Sequence, residues 1–390
     1  MRFYIFRFYI SRFYPYFHLQ TPAHFHQIDH LPGRSIDLEG KNYLYFSGTA
    51  YLGLPHNPDF QNLIQEGLHH YGSVYGSSRN GNLQLTVYEQ AEQKLALWAG
   101  AEAALTLSSG MLAGQAAIRQ LMLEGYDFMY APDVHPAVWH LPQVDIPKME
   151  FTAWSLQFTV ANRATNHHQP PITNHAAKRH PLALVTNSVD ALRGKLYDFE
   201  WVNELPEDRE FVLVVDDSHG MGVTGEGGRG AWGRIPKRKN VRVIVTASLA
   251  KAMGLSGGVI FSDAATLHRI RYSAYFGGCS PISPDHLYAY LHADALYDDA
   301  YARLQANINR FTASIRALNL LSFTDHYPVF YSKHDELYPF LLERGIFIYR
   351  FSYPKPTDKA NTRIVLSAWH TPEDIQQLSA ACHDFSQKFL

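Results

Sequence analysis

The chain has 390 residues, of which 46% are hydrophobic and 18% are charged. This is the composition of an ordinary globular protein, and the length predicts two or three structural units, because single cores stop growing at roughly 250–300 residues. The formal net charge of -2 at pH 7 argues against nucleic acid as a partner, since no overall positive field attracts it. No run of about 18 consecutive apolar residues occurs, so stable membrane insertion is not expected.

The N-terminus repeats the triplet Arg-Phe-Tyr at Arg2–Tyr4, Arg7–Tyr9 and Arg12–Tyr14. Aromatic and basic residues suit a membrane interface, which makes an anchor one hypothesis. A period of five, however, produces neither a helical stripe nor a strand face. The favoured interpretation is a poorly ordered N-terminal extension or an upstream start.

The chain has two cysteines, Cys279 and Cys382. They are too few for a disulfide framework and lack metal-ligand spacing. A reducing, cytoplasmic location is therefore expected, with no metal site.

Short apolar strands alternate with helices from Asp37 onward. Strands are predicted at Tyr43–Phe46, Ala103–Leu107, Phe128–Ala131, Leu182–Thr186, Phe211–Val215, Val241–Thr246 and Val259–Phe261. Helices are predicted at Glu89–Trp98 and Ala113–Leu121. This alternation is typical of a parallel α/β sheet with helices on both faces.

The pattern changes after Pro284, where a smaller α+β unit is predicted. Its helices are His286–Leu296, with a continuation through Tyr301–Leu318, and Thr371–Phe385; its strands are Tyr327–Tyr331, Ile346–Tyr349 and Arg363–Ser367. The predicted division is an N-terminal arm (1–45), a large domain (46–285) and a small C-terminal domain (286–390). Residues 161–180 carry four histidines at a spacing that fits no closed tetrahedral metal site, so a solvated loop is favoured there.

An apolar strand delivers Asp216 to the position where parallel sheets bind ligands, the carboxyl end of the strands. A carboxylate there needs a cation, and a protonated pyridine nitrogen is one that also requires a stable negative partner. His219, three residues later, could donate to the same ligand. Taken alone, an acidic residue at a strand end is more often a cap.

Lys251 lies between two apolar strands, in a loop rich in glycine and serine. Desolvation in such a loop lowers the pKa of an amine and makes it a nucleophile. The neighbouring Ser248 is close enough in sequence to reach a phosphate. Between an earlier strand and helix, Ser109, Gly110 and Met111 form a turn whose backbone N–H groups suit phosphate binding. The order of these features matters more than any one of them.

The residues together resemble the α-oxoamine synthases, which are fold-type I enzymes dependent on pyridoxal 5′-phosphate (PLP). The resemblance runs from about Asp37 to Phe385. The matching segments are Tyr51–Leu54, Gly76–Arg79, Ala91–Ala96, Val215–His219, Gly228–Gly230 and, near the end, Tyr353-Pro354, Arg363 and Ser367–Thr371. The resemblance implies a mostly parallel sheet of about seven strands with helices on both faces, followed by a smaller α+β domain.

The resemblance also implies a role for each candidate residue. Lys251 would hold PLP as a Schiff base and transfer protons, and Asp216 would pair with the pyridine nitrogen. His219 would contact the phenolic oxygen O3′, and His135 would stack on the ring. The phosphate would be bound by Ser109, Gly110, Met111 and Ser248, together with Ser280 from the neighbouring subunit of a homodimer. Substrate would be bound by Arg363, which suits a carboxylate, and by Thr49 and Arg79.

The departures from the family pattern concentrate on the substrate side. Gly48 and Thr49 stand near the position of a family asparagine, and Ser218 replaces an alanine. The family's Ser-Met-Asp-Gly-Asp segment corresponds here to residues 191–195, in which Arg193 and Lys195 reverse two charges. A divergent member, with a different acyl donor or amino acid, is therefore predicted.

The leading hypothesis for the activity is decarboxylative condensation of a small α-amino acid with an acyl-CoA to give an α-aminoketone. The alternative is an aminotransferase acting on an amino acid and a keto acid, since a fold does not fix a function. A third hypothesis, motivated by Arg193 and Lys195, is a PLP-binding protein without activity. Retention of Lys251, Asp216 and His219 argues against that last possibility.

Overall fold

The computed structural model describes residues 26–159, 181–190, 192–352 and 360–390. The Arg-Phe-Tyr triplets, the histidine-bearing segment 161–180 and Tyr353-Pro354 lie outside these residues.

The strands are β1 (Ser35–Leu38), β2 (Lys41–Phe46), β3 (Ala103–Leu107), β4 (Asp127–Tyr130), β5 (Leu182–Asn187), β6 (Val189–Asp190), β7 (Lys195–Leu196), β8 (Phe211–Asp216), β9 (Val241–Ser248), β10 (Gly258–Ser262), β11 (Ser322–Phe323), β12 (Val329–Ser332), β13 (Ile346–Ser352) and β14 (Ala360–Val365). The helices are α1 (Pro58–Tyr71), α2 (Thr86–Ala99), α3 (Gly110–Leu123), α4 (Phe151–Leu156), α5 (Ala264–Arg271), α6 (Ala274–Gly277), α7 (Pro284–His292), α8 (Asp294–Ile315), α9 (Leu337–Glu343) and α10 (Pro372–Phe389).

The larger sheet has the strand order β3-β10-β9-β8-β5-β4. Strands β4, β5, β8 and β9 are parallel, whereas β10 is antiparallel to both of its neighbours. The described residues thus form six strands here, against about seven expected, and β2, which contains the predicted Tyr43–Phe46, pairs in the other sheet with β13. The carboxyl ends of β4, β5, β8 and β9 share one edge, as the sequence predicts.

Both faces of the larger sheet are buried. In β8, Phe211, Leu213 and Val215 contribute to one apolar cluster, while Val212 and Val214 contribute to another. Because successive side chains in a strand point to opposite faces, these clusters lie on the two sides of the sheet. Apolar residues of α3 and α5 belong to the second cluster, and those of α2 and α8 belong to the first. The prediction of helices on both faces is confirmed.

The second sheet has the strand order β1-β2-β13-β14-β12-β11. Strands β1 and β2 precede the large sheet in sequence, yet β2 pairs in parallel with β13. Arg34, just before β1, donates two hydrogen bonds of 2.6 and 2.7 Å to Asp374 in α10. Residues 34–46, most of which the sequence assigned to an arm, therefore form part of the sheet made by the C-terminal residues. The three-part domain division stays a prediction.

The helix predicted to continue from His286 through Leu318 is broken at Ala293, between α7 and α8. Lys94 binds both sides of the break. Its Nζ donates to the carbonyl oxygens of Tyr290 and Leu291, at 3.0 and 2.9 Å, and lies 2.7 Å from the Asp294 carboxylate. It thereby satisfies carbonyl groups that a helix end leaves without partners. No helix among the described residues is long and apolar enough to cross a membrane.

Candidate active site

Asp216 ends β8 at the shared carboxyl edge of the parallel strands and is buried. Its Oδ1 accepts a hydrogen bond of 2.9 Å from the Ser218 backbone N–H, and its Oδ2 lies 3.7 Å from Nδ1 of His135. Burial lowers the pKa of His135, although the Asp216 carboxylate opposes that shift. An imidazole and a carboxylate predicted from separate segments thus meet at one point.

His135 is held by the end of the neighbouring strand β5. Its backbone N–H donates to Oδ1 of Asn187 at 3.1 Å, and the Asn187 amide donates to the Asp133 carbonyl oxygen at 2.8 Å. Asp133 has a φ of 55°, which a non-glycine residue adopts only when its surroundings impose it. Arg193 supplies a further restraint through ion pairs with Asp133 (3.1 Å) and Asp190 (2.9 Å). The charge reversal at position 193 is therefore compensated by acidic partners.

Lys251 follows β9 in a loop closed by two backbone hydrogen bonds, from Leu249 to Gly257 (2.9 Å) and from Leu255 to Leu249 (3.0 Å). Burial lowers the pKa of Lys251 to about 8, with Asp216 raising it and Arg363 lowering it. A larger fraction of this amine is unprotonated near neutral pH than for an exposed lysine. The residue therefore has the character of a nucleophile or proton acceptor.

The start of α3 and the end of β9 are packed against each other. Ser109 caps α3 by accepting from Leu112 N–H at 3.1 Å, and the N–H groups of Gly110 and Met111 are left at the helix start. A Cβ on Gly110 would stand 2.6 Å from Cβ of Ser248, so only glycine permits this approach. Two helix N–H groups and the Ser248 hydroxyl are thereby placed around one point, which is a donor set suited to a phosphate.

Arg363 lies on β14, in the second sheet, and only 5% of it is exposed. Its guanidinium stands 4.8 Å from the centre of the Tyr349 ring. Its charge lowers the pKa of both Lys251 and His219, so it faces the same site from the opposite sheet. A buried guanidinium here can receive a substrate carboxylate.

His219 is bound on its Nδ1 side by the Tyr51 hydroxyl, at 2.9 Å. Burial lowers the pKa of His219 well below its usual value, and the charges of Lys251, Arg363 and His135 lower it further. The charges that shift the pKa values of His135, His219 and Lys251 come from within one group of five residues. These are the residues that the sequence predicted at the reacting centre: Lys251, Asp216, His135, His219 and Arg363.

Other candidates lie elsewhere or remain open to solvent. Arg79, predicted to bind substrate, is buried, and its guanidinium donates to both carboxylate oxygens of Glu92 and to Thr106. These contacts give no support to a role in substrate binding.

Ser280 and Met111 are exposed, and Thr49 is half-buried beside the Tyr51 loop. The histidines, cysteines and acidic residues within the described ranges form no cluster able to hold a metal ion.

Some functional candidates were not predicted from the sequence. Tyr51 lies within the matched segment Tyr51–Leu54, so the motif contained the signal although no role was inferred from it. Asn187 ends β5 at the same edge as Asp216 and could have been found by that criterion. Ser218 Oγ accepts from the Ser248 N–H at 2.9 Å and links the Asp216 turn to the phosphate site. Tyr327, whose hydroxyl lies 3.4 Å from the His219 carbonyl oxygen, is marked as a site residue by no local sequence pattern.

Known proteins resemble this chain over most of its length. The model of the aminotransferase class I and II family matches residues 41–381. The chain belongs to this family. The 8-amino-7-oxononanoate synthase of Serratia proteamaculans is 32% identical over 368 residues, covering 91% of this chain and 92% of the relative. The synthase of Erwinia tasmaniensis is 28% identical over 373 residues, covering 92% and 93%.

Solved structures extend the comparison to the fold. Serine palmitoyltransferase from S. paucimobilis, solved with bound PLP, has a TM-score of 0.76 at 18% identity and covers 93% of this chain and 92% of its own. The 8-amino-7-oxononanoate synthase of Francisella tularensis has a TM-score of 0.66 at 22% identity, covering 89% and 99%. The chain is thus a PLP-dependent transferase of the α-oxoamine synthase type, with a fold-type I architecture.

The residues of this α-oxoamine synthase fit PLP. The glycine-dependent approach of α3 to Ser248 leaves the donors that a phosphate needs, and Asp216 provides a buried negative partner for a pyridine nitrogen. Lys251 provides an amine of lowered pKa for the aldehyde. These groups follow the carboxyl ends of β3, β8 and β9 in one sheet, which is where such sheets bind ligands.

Proposed function

We propose that this enzyme condenses a small α-amino acid with an acyl-CoA thioester, with loss of carbon dioxide and free CoA, to give an α-aminoketone. The observation that carries the proposal is the grouping of Lys251 with Asp216 and Arg363. The charges of Asp216 and Arg363 both act on the Lys251 amine, which supports a site where a proton-accepting amine works beside a partner for the cofactor ring and a guanidinium for the substrate carboxylate. The curated relatives named 8-amino-7-oxononanoate synthase support the same class of reaction.

Each residue has a separate task in this reaction. PLP, when bound, supplies the electron sink that stabilises negative charge on the substrate α-carbon. Asp216 keeps the ring nitrogen protonated, and Arg363 orients the amino acid through its carboxylate. Lys251, in its amine form, accepts the proton from the α-carbon, which can then attack the thioester carbonyl. His135 and His219 hold the cofactor ring and its phenolic oxygen.

The active unit proposed is a homodimer, in which Ser280 of each subunit contributes to the phosphate site of the other. Ser280 is exposed in the single chain, and so is Met111 at the start of α3. Both are therefore accessible to a neighbouring subunit.

The test measures free thiol released from a panel of acyl-CoA donors with glycine, alanine or serine, using the PLP-loaded enzyme. Amino-acid-dependent release of CoA, together with carbon dioxide in a one-to-one ratio, is the expected result. Lys251→Ala should lose both this activity and the visible absorbance of the bound cofactor. Arg363→Lys should instead raise the KM for the amino acid, because it loses the bidentate contact.

Two results would overturn the proposal. Amine transfer to keto acids without release of CoA would identify the enzyme as an aminotransferase. Turnover that persists at the wild-type rate in Lys251→Ala would remove Lys251 from the chemistry.

A further inference from the structure

Tyr51 makes a contact that the reaction as described does not use. Its hydroxyl lies 2.9 Å from Nδ1 of His219, and only 1% of the residue is exposed. Its backbone is fixed by the loop after β14, since its carbonyl oxygen accepts from the Ser367 hydroxyl (3.0 Å) and from Ala368 N–H (2.9 Å). A buried hydroxyl held this firmly constrains the imidazole that it contacts.

A second buried tyrosine lies beside the first. The Tyr327 side chain interacts with that of Tyr51, and its hydroxyl donates a long hydrogen bond of 3.4 Å to the His219 carbonyl oxygen. The 2.9 Å contact between the Tyr51 hydroxyl and Nδ1 of His219 is an ordinary hydrogen bond. A neutral imidazole accepts at one of its two nitrogens, and Nδ1 is the nitrogen that faces this hydroxyl. An imidazole that accepts at Nδ1 while neutral carries its proton on Nε2.

The surroundings of His219 keep the ring neutral. Lys251, Arg363 and His135 all face it, and burial together with these charges lowers its pKa well below the usual value. Within the described residues no hydrogen bond joins Nε2 to a protein group, and His219 is only partly buried. The Nε2–H is therefore available to a bound ligand.

We propose that Tyr51, supported by Tyr327, is a positioning residue that holds His219 as the neutral tautomer protonated on Nε2, so that His219 donates a hydrogen bond to the phenolic oxygen of PLP. The inference rests on the proposed place of His219 beside that oxygen. With this tautomer fixed, the nitrogen of His219 that faces the cofactor can only donate. His219 therefore does not compete with Lys251 for the substrate proton. Two tyrosines from loops next to the second sheet, one after β2 and one before β12, thus set the protonation pattern at the cofactor site.

The first test needs no cofactor. Long-range ¹H–¹⁵N spectra of ¹⁵N-histidine-labelled protein without PLP, with the His219 signals assigned by His219→Asn, should show a neutral ring protonated on Nε2 between pH 6 and 8. In Tyr51→Phe the Nδ1 resonance should move toward that of a nitrogen without a hydrogen bond. Tyr130→Phe is the matched control, because Tyr130 contacts Nδ1 of His140 at 2.7 Å in the same manner. It should leave the His219 signals unchanged.

The second test uses the loaded enzyme. The pH midpoint of its visible absorbance should rise in Tyr51→Phe by about half to one unit, the equivalent of one ordinary hydrogen bond. The rise is expected because a phenolic oxygen with a weaker donor holds the proton that it shares with the Lys251 nitrogen more tightly. Tyr130→Phe should not shift this midpoint.

Three outcomes would overturn the proposal: a wild-type His219 protonated on Nδ1, Tyr51→Phe spectra identical to wild type, or an unchanged absorbance midpoint in a variant whose Nδ1 signal has moved. The last of these would place His219 away from the phenolic oxygen. Failure of the condensation reaction is distinguishable, because it appears in the CoA assay and leaves the spectra of the cofactor-free protein unaffected.

Discussion

The Arg193 guanidinium lies 3.1 Å from the carboxylate of Asp133, two residues before His135. It also lies 2.9 Å from the buried Asp190, which accepts from the N–H groups of Leu192 and Arg193. The same arginine therefore holds both the turn that carries His135 and the short β6–β7 hairpin. Arg193, which reverses the charge of the family pattern, thus helps to hold the site in place.

Removing this support should weaken cofactor binding more than it weakens the fold. In Arg193→Met the dissociation constant for PLP is expected to rise about three- to fivefold, because partly exposed ion pairs contribute at most about 1 kcal/mol. The effect should shrink at high salt. Fluorescence titration of cofactor-free protein measures it. Lys195→Met, which removes an exposed ion pair with Glu150 at 3.1 Å, is the control, and an equal effect there would contradict the role of Arg193.

Gly110→Ala should disturb the phosphate site. The added Cβ would stand 2.6 Å from Cβ and 2.7 Å from Cα of Ser248, so α3 must move away from β9. The affinity for PLP should fall by about tenfold or more, the equivalent of one hydrogen bond to a charged group. The free energy of unfolding should fall by about 1–3 kcal/mol. Gly233→Ala has no atom within 4 Å of its added carbon and should change neither quantity; unchanged affinity in Gly110→Ala would argue against this phosphate site.

Arg79→Met should act on stability rather than on substrate binding. It leaves the Glu92 carboxylate buried without its cation, at a cost of about 3–5 kcal/mol in urea unfolding. The double variant Arg79→Met/Glu92→Gln removes the charge but keeps an acceptor for Thr106 N–H, and should recover much of that loss. If Arg79→Met instead folded normally with a raised KM for the amino acid, the original prediction that Arg79 binds substrate would be right.

Asp217 should make stability depend on pH. Burial raises its pKa to about 7, although the hydrogen bond from Ala231 N–H and the charge of Arg234 oppose that shift. The folded state therefore binds a proton that the unfolded chain releases near pH 4. This contribution is fully present below about pH 4 and is lost as the pH rises through about 7. Its whole span is up to about 4 kcal/mol.

Comparison with Asp217→Asn isolates that contribution. Between pH 5 and pH 8 the wild type should lose about 1–3 kcal/mol more unfolding free energy than the variant, measured by urea denaturation of the cofactor-free protein. Parallel pH profiles for the two proteins would show that Asp217 is ionised throughout this range.

Local sequence was sufficient for the larger sheet, whose six strands and parallel centre follow from short apolar runs. Asp216 and Lys251 were found because each follows an apolar strand. The continuous helix after His286 was wrong, because the chain breaks at Ala293. The carbonyl groups near that break bind Lys94, which is about 200 residues away in the chain.

What the sequence by itself determined is therefore the six strands of the larger sheet, the candidate set around Lys251 and the resemblance to the α-oxoamine synthases. Only the tertiary structure decided that β2 pairs with β13, that Arg79 is committed to Glu92, and that Tyr51 and Tyr327 meet His219. The reason is physical. Periodicity and turn chemistry act over a few residues, whereas a buried charge or hydroxyl must find its partner wherever packing places one.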